Sequence, residues 1–270
     1  MQPSANNDII FFDDFTTKEL DRTKWHVVET KDIYNREEQA YIDSEETIYF
    51  SHQEDDANGV LVIHPRFRKR HVSSQGDTFD FVSGRIDTRE RFSFRYGLIE
   101  ARIKLPRGIG LWPAFWTHGA QGPWPCCGEI DVMEYVGEQD WVSAAIHGPN
   151  YSGENALVNK KFFLPPDDVT NWHVYALDWT PDSFNFMVDG ELFYRVTFPM
   201  VRFFGPWVFD QQHFILLNFA LGGIYPFKTN GIKKPYLGLP ETTVNAIKNK
   251  EIKMLVDWVK VSKNADRHFQ

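Results

Sequence analysis

The chain has very little cysteine: of its 270 residues only Cys126 and Cys127 are cysteines, and they are adjacent. No disulfide can therefore close a long loop, and the cysteine content does not report an oxidising or a reducing compartment. Adjacent Cα atoms lie only about 3.8 Å apart, which is shorter than a disulfide usually spans. A strained vicinal disulfide is the alternative, but we expect two free thiols. No second Cys/His pair stands at the spacing of a zinc site.

The sequence also lacks long apolar runs and an excess of basic residues. No run approaches the length of a transmembrane helix, and residues 1–7 do not combine a basic end with the apolar stretch of a signal peptide. The net charge of -8 and the pI of about 5.6 disfavour nucleic acid and anionic membrane surfaces as partners. Two compartments stay open: the cytoplasm and, for a mature form given a new Met, the outside of the cell.

Helical periodicity is almost absent, and short alternating segments broken by turn residues fill most of the sequence. This pattern predicts an all-β sandwich, with an Asp-Gly hairpin turn inside residues 188–192. Short helices are expected near residues 17–24 and 240–245. The charged residues 66–71 are expected to form a solvated loop or a strand edge. The length suits one domain over residues 1–270, without a linker or an internal repeat.

Aromatic residues are abundant, at 16% of the chain with nine Trp and 23 Phe. Pyranose rings expose C–H faces that stack on flat aromatic rings, so this composition suits a sugar-binding cleft. Trp112 and Trp116 lie four residues apart and would share one face of a strand. Trp124 stands in a Pro-flanked loop, where we expect it to be exposed. For any single Trp, packing in the core is the alternative.

Three carboxylates, Glu129, Asp131 and Glu134, fall within six positions of a strand-like apolar run. Because a strand sends alternate side chains to opposite faces, the first two share a face and the third is one residue out of phase. A bulge at Val132 and Met133 would return it to the same side. Crowded like charges raise a carboxyl pKa, which an acid/nucleophile pair needs at neutral pH. The alternative is a solvated strand face.

His147 ends a predicted strand just before a loop rich in Gly, Pro and Asn. Side chains at strand ends often serve function, and this His could hydrogen-bond a carboxylate or a sugar hydroxyl. A purely structural His is the alternative. Other hydrolase chemistries find no support, because the sequence contains no Gly-x-Ser-x-Gly elbow and no His-Glu-x-x-His zinc motif.

The string Glu129-Ile130-Asp131-Val132-Met133-Glu134 resembles the active-site signature of glycoside hydrolase family 16. The extra residue before the last Glu is typical of the bulged branch, which holds laminarinases, agarases and porphyranases. Further segments resemble the family framework in family order between about residues 9 and 262: Phe11–Phe15, Gly97–Lys104, Trp112–Trp116, His173–Pro181 and Leu217–Gly223. The resemblance implies a β-jelly-roll of two curved antiparallel sheets, with an open substrate groove on the concave face.

By this resemblance Glu129 matches the nucleophile, Glu134 the general acid/base and Asp131 the helper between them. A retaining mechanism of this kind places two carboxyls about 5–5.5 Å apart. The resemblance also implies a set of substrate-binding residues, which are Asn35, Arg85, Trp112, Trp116, Trp124, His147 and Gln211. The family often holds a structural Ca²⁺ on the convex side, and the matching positions are Asp14, Gly59 and Asp257. No cofactor for catalysis is implied.

The expected function is a retaining endo-β-1,3-glucanase of the laminarinase type, with mixed-linkage β-1,3-1,4-glucan as a further substrate. The alternatives are an agarase or another galactan hydrolase, a transglycosylase and, with less support, a non-catalytic glucan-binding protein. We expect a secreted, extracellular monomer whose signal peptide has been removed. Two segments depart from the family pattern: residues 224–227 are expected to alter a groove edge, and residues 200–208 to form a loop over one end of the cleft.

Overall fold

The computed structural model describes residues 9–52 and 59–263. The outer ends of the predicted domain, and residues 1–7, on which the prediction about a signal peptide rests, lie outside these ranges. Among the described residues, no helix is both long enough and apolar enough to cross a membrane.

The described chain is built almost entirely of strands, with three short α-helices and one 3₁₀ turn. The strands in chain order are β1 (Ile9–Asp13), β2 (His26–Val27), β3 (Gln39–Tyr41), β4 (Ile48–Ser51), β5 (Val60–Ile63), β6 (Arg66–Val72), β7 (Thr78–Ser83), β8 (Arg85–Asp87), β9 (Gly97–Lys104), β10 (Leu111–Gly119), β11 (Glu129–Glu134), β12 (Trp141–His147), β13 (Leu157–Phe162), β14 (Trp172–Trp179), β15 (Ser183–Val188), β16 (Glu191–Thr197), β17 (His213–Leu221) and β18 (Met254–Ser262). The helices are α1 (Phe198–Phe204), α2 (Ile224–Asn230) and α3 (Glu241–Lys248), and the 3₁₀ turn is Gly153–Asn155.

Two large antiparallel sheets form the sandwich. The first has the order β16-β15-β14-β9-β18-β5-β4, with β1 added beside β18, and the second has the order β13-β12-β11-β10-β17-β8-β2. A small third sheet, β3-β7-β6, contains the parallel pair β3 and β7. The predicted all-β jelly-roll sandwich is confirmed. The strand β11, which carries the three acids, lies inside the second sheet and is paired on both edges.

The core lies between the two large sheets. In β9, Ile99, Ala101 and Ile103 are fully buried, whereas Arg102 and Lys104 on the opposite face are partly exposed. Because side chains alternate with a period of two residues, one face of the sheet points into the core. Burying a side chain of the size of Ile stabilises the fold by about 1.5–3 kcal/mol, so the core holds the second sheet, and with it the acids, in a fixed position.

The local predictions met different outcomes. The hairpin between β15 and β16 is confirmed, with positive φ values of 52° at Asp189 and 81° at Gly190, as a tight two-residue turn requires. Residues 66–71 belong to β6 at the edge of the third sheet. Of the two alternatives, a solvated loop and a strand edge, the second is therefore confirmed. The helix expected near residues 240–245 is confirmed as α3.

The helix expected near residues 17–24 is wrong, because this segment forms only bends and a turn. The Asp21 carboxylate accepts from the backbone N–H and the hydroxyl of Thr23, and its carbonyl accepts from Trp25 N–H at 2.9 Å. Asp favours such local bonds over a helix interior. A loop was expected at residues 200–208, but residues 200–204 belong to α1. The segment lines neither of the two cavities described below.

Candidate active site

A bulge at Val132 brings the three acids of β11 to one face of the sheet. On the β10 side, Asp131 pairs with Trp116 while Met133 pairs with Phe115, so the residue between them has no partner. The extra residue restores the phase of the last Glu, as the alternation of strand side chains predicted. This bulge is the predicted one. We call the resulting surface, which carries all three carboxylates, the acid face.

The acids line a cavity of about 330 Å³ together with most of the predicted binding residues. Asn35, Arg85, Trp112, Trp116 and Trp124 all contribute to its wall. A second cavity of about 440 Å³ adjoins it, because the two share several wall residues. The structure therefore brings together residues that are up to 186 positions apart in the sequence, from Tyr34 to Ala220, around one continuous depression.

The pKa of each of the three acids is raised to about 8, and burial is the largest cause in every case. The negative charge of Asp131 contributes to the rise at Glu129 and at Glu134, since like charges in a dry site resist ionisation together. Arg85 acts on one of the three: its positive charge lowers the pKa of Glu129. Burial and the charges of Asp131 and Glu134 outweigh this effect, so the pKa of Glu129 is raised like those of the other two acids.

His147 lies against the acids and has a defined tautomer. Its Nε2 is 3.0 Å from Asp131 Oδ2 and 3.6 Å from Glu129 Oε1. Its Nδ1 accepts the backbone N–H of Gly153 at 3.1 Å. Because Nδ1 is the acceptor, the ring proton of the neutral imidazole sits on Nε2, on the side of the carboxylates. His147 thus lies within ion-pair distance of both acids, but the predicted hydrogen bond to a carboxylate is not formed, since Asp131 Oδ2 has no hydrogen-bond partner among the described residues.

Trp112 contacts the last acid directly. Its indole Nε1–H donates to Glu134 Oε1 at 3.0 Å, and this bond lowers the pKa of that carboxyl against the effect of burial. The ring of Tyr225 packs edge-on against Trp112 with centroids 5.4 Å apart, and its hydroxyl lies 3.1 Å from Ser143 Oγ. Residues 224–227 form the first turn of α2 and line neither of the two cavities, so Tyr225 reaches the cavity wall through Trp112. The predicted change of a groove edge stays a prediction.

The other two Trp residues have different surroundings. Trp116 shares the face of Trp112, as predicted, but its Nε1–H donates to Asn218 Oδ1 at 2.7 Å and the Arg85 guanidinium lies 5.1 Å from its ring. Trp124 is 49% exposed, with its ring centroid 6.2 Å from that of His147. Of the three Trp residues in the cavity wall, Trp124 therefore offers the most open flat surface for a sugar ring.

These features agree with a match to a known protein family: the model described as glycosyl hydrolases family 16 covers residues 28–204. The chain belongs to this family. A Rhodothermus marinus β-glucanase is 37% identical over 180 residues, which are 62% of this chain and 60% of that relative. The chain spans between about a third and three fifths of the length of the first curated relatives it matches.

Solved structures of family 16 members match over nearly the whole chain. The endo-β-1,3-glucanase of Pyrococcus furiosus has a TM-score of 0.80 at 31% identity, covering 94% of both chains. The laminarinase catalytic domain of Thermotoga maritima has a TM-score of 0.81 at 30% identity, covering 96% of this chain and 100% of that one. The resemblance inferred from the sequence motifs is confirmed at the level of family and fold.

Two predicted binding residues of the family 16 site, His147 and Gln211, do not line the cavity. Gln211 donates from Nε2 to the carbonyl of Cys127 at 2.8 Å and accepts the N–H of Gln121 at 3.2 Å. Both ends of its amide are thus engaged by the backbone of the loop that carries Trp124. Cys126 and Cys127 are free thiols, as expected.

Several wall residues of the family 16 site were not predicted from the sequence. They are Tyr34, Glu37, Tyr41, Arg89, Ala114, His118, Asn218 and Ala220. Tyr41 accepts the amide of Asn218 at 2.9 Å, and burial raises the pKa of Glu37. The polar residues next to Asn35 in the sequence could have indicated further binding residues, but the sequence does not show that they are buried in the cavity wall.

The residues matched to a structural Ca²⁺ fit that ion poorly. Asp257 Oδ2 pairs with Arg102 Nη1 at 2.6 Å, so a cation of the protein already holds this carboxylate. Asp14 Oδ1 accepts the hydroxyl of Thr16 at 2.9 Å. Gly59 lies near this segment, since a Cβ built on it would be 3.6 Å from the carbonyl of residue 15. The calcium site remains a prediction.

Proposed function

We propose that the chain is a retaining endo-β-1,3-glucanase of the laminarinase type. One observation carries the proposal: Glu129, Asp131 and Glu134 lie on one face of a bulged strand, at the wall of a cavity lined with Trp residues. The names of the two structural relatives described above, an endo-β-1,3-glucanase and a laminarinase, support β-1,3-glucan as substrate. Mixed-linkage glucan is a second substrate in this proposal.

In the first half-reaction Glu134 donates its proton to the glycosidic oxygen while the Glu129 carboxylate attacks the anomeric carbon. The bond to the leaving sugar breaks, and an ester between Glu129 and the remaining sugar forms. The pKa of Glu134, raised to about 8 mainly by burial, keeps this acid protonated at neutral pH. The pKa of Glu129 is raised to about 8 as well, so in this proposal the reacting molecules are the fraction with an ionised Glu129, a fraction that the positive charge of Arg85 increases.

In the second half-reaction Glu134 removes a proton from water, whose oxygen attacks the same carbon and releases Glu129. Two inversions leave the anomeric configuration retained. Asp131 holds a proton in common with Glu129 as the charge of the nucleophile changes, and His147 Nε2 lies 3.0 Å from Asp131 and 3.6 Å from Glu129. The scheme uses side chains alone and no cofactor.

The cavity also supports a neutral polymer as substrate. Flat indole rings stack on the C–H faces of glucose units, and the cavity wall carries acidic side chains beside its Arg residues. A polymeric glucan does not cross a membrane, so the proposal includes secretion and action outside the cell by a monomer.

The first experiment measures release of reducing ends from laminarin, lichenan, agarose and carboxymethylcellulose. Cutting of laminarin, with or without lichenan, is the expected result. Cutting of agarose alone would contradict the substrate while leaving the acids in their roles. No activity of the folded protein on any of the four polysaccharides would contradict the proposal and favour a binding protein.

A second experiment separates the roles of the two Glu residues by azide rescue on an activated aryl laminaribioside. In Glu129→Ala, azide occupies the space of the nucleophile and gives an α-glycosyl azide. In Glu134→Ala, the covalent intermediate still forms, and azide attacks it to give the β-glycosyl azide. If Glu129→Ala gave the β-glycosyl azide and Glu134→Ala the α-glycosyl azide, the roles of nucleophile and general acid/base would have to be exchanged. Without azide, each variant should lose at least about 10²-fold in activity.

A further inference from the structure

The depression on the acid face extends to one side of the acids. The strand β11 has two neighbours, β10 and β12. The cavity beside the acids is walled by residues of β10, β17 and β8 and by the segment of Asn35. Among the described residues, none that lines this cavity belongs to β12. A groove running across the acid face would need both sides.

The side chains of β12 that share the acid face are covered. Ala145 pairs with Asp131, and Ser143 pairs with Glu134. Residues directly opposite each other in an antiparallel pair point to the same face, so these two should form the groove floor next to the acids. Yet Ser143 is 0% exposed and Ala145 only 1%. Other parts of the chain therefore lie over this part of the sheet.

Two segments cover it, and they approach from opposite ends of β12. The helix α2 reaches Ser143 through the Tyr225 hydroxyl at 3.1 Å. The loop after β12 folds back so that the N–H of Gly153 donates to His147 Nδ1 at 3.1 Å. Ser143 and His147 are four residues apart, which is about 13 Å along a strand. Ala145 lies midway between the two contacts.

The two covering segments are joined by an ion pair. Lys228 Nζ in α2 contacts Glu154 Oε1 in the 3₁₀ turn that follows Gly153. The side chains are 42% and 80% exposed, so water competes for the pair and it opens readily. We call this contact the Lys228–Glu154 bridge.

We infer that the Lys228–Glu154 bridge closes the groove on the β12 side of the acids and thereby limits the length of glucan accepted there. A long chain lying across the acid face must open the bridge, whereas a short oligosaccharide that occupies mainly the open cavity need not. Lys228 and Glu154 are then specificity residues that favour short substrates over attack in the middle of a polymer. The inference rests on the proposed glucanase function.

The test compares kcat/KM on laminarin with kcat/KM on laminaritetraose. Lys228→Gln and Glu154→Gln should each raise the ratio of polymer to tetraose activity about two- to fivefold, the range that an exposed ion pair allows. The exchanged pair, Lys228→Glu with Glu154→Lys, should restore the original ratio. Added salt should raise the ratio of the wild type and leave that of Lys228→Gln unchanged, because salt screens exposed charges.

Lys161→Gln is the matched control, because Lys161 forms a similarly exposed pair with Glu191 at 2.9 Å between β13 and β16. Its ratio should equal that of the wild type. Unchanged ratios in both single variants, with laminarin still cut, would overturn the inference and leave the proposed function intact. Failure of the wild type to cut any glucan would instead overturn the proposed function.

Discussion

Replacing Trp112 by Phe removes the indole N–H that donates to Glu134 Oε1 at 3.0 Å while keeping an aromatic ring in place. A hydrogen bond to a charged group is worth about 1.5–3 kcal/mol, and one pKa unit corresponds to about 1.4 kcal/mol. The bond stabilises the ionised carboxylate, so its loss should raise the pKa of Glu134 by about one to two units. The general acid would then stay protonated to higher pH.

The pH dependence of kcat/KM on laminarin measures this effect. In Trp112→Phe the basic limb of the profile should move by about one to two units toward alkaline pH. The maximal rate should fall, since a weaker acid donates its proton less readily. Trp116→Phe is the matched control: it also loses an indole N–H, but that N–H bonds to Asn218 at 2.7 Å. Its basic limb should stay in place.

A profile of Trp112→Phe that superimposes on that of the wild type would refute this reasoning, provided the variant is folded and active. The same shift in both variants would also refute it, because the shift would then follow from a general change in the cavity. Direct titration of the Glu134 carboxyl by ¹³C NMR would show which proton is responsible.

Three further predictions concern stability, metal and thiols. Burial raises the pKa of Asp131 to about 8, so the folded state loses stability as pH rises from about 4 to 8. Asp131→Asn should gain on the order of 5 kcal/mol at pH 8 and little at pH 4 in urea unfolding, and an equal gain at both would contradict this. Arg102 already pairs with Asp257, so EDTA should hardly change Tm in calorimetry; a large drop reversed by Ca²⁺ would show that the ion displaces the arginine. Ellman's reagent should titrate the exposed Cys126 in the native protein and the buried Cys127, whose pKa is raised to about 11, only after unfolding; two fast thiols would contradict the burial.

The phase of the side chains made the bulged strand predictable from sequence. Glu134 is one residue out of step with Glu129 and Asp131, and a single inserted residue resolves this conflict in any strand whose other side chains are apolar. Resemblance to the family motifs then predicted five further wall residues, which are Asn35, Arg85, Trp112, Trp116 and Trp124.

What failed depended on contacts between distant segments. The helix α2 contains Pro226 and follows Gly222 and Gly223, and such a local sequence favours a turn over a helix. The helix forms nevertheless, because Pro is tolerated in the first turn of a helix. The donation from Trp112 to Glu134 and the cover over β12 need three-dimensional positions that no spacing contains. Gln211 was matched to a polar groove residue, and its amide instead bonds a neighbouring loop.

The side-chain amide of Gln211 holds the loop that carries Trp124 in one conformation. Since Gln211 bonds both Gln121 N–H and the carbonyl of Cys127, it holds the loop on either side of the exposed indole before any sugar arrives. The entropy of ordering this ring is then lost during folding and not again on binding, which favours tight association. A substitution at Gln211 would loosen the platform without removing any sugar contact, so the range of accepted polysaccharides can change through a residue that never touches them.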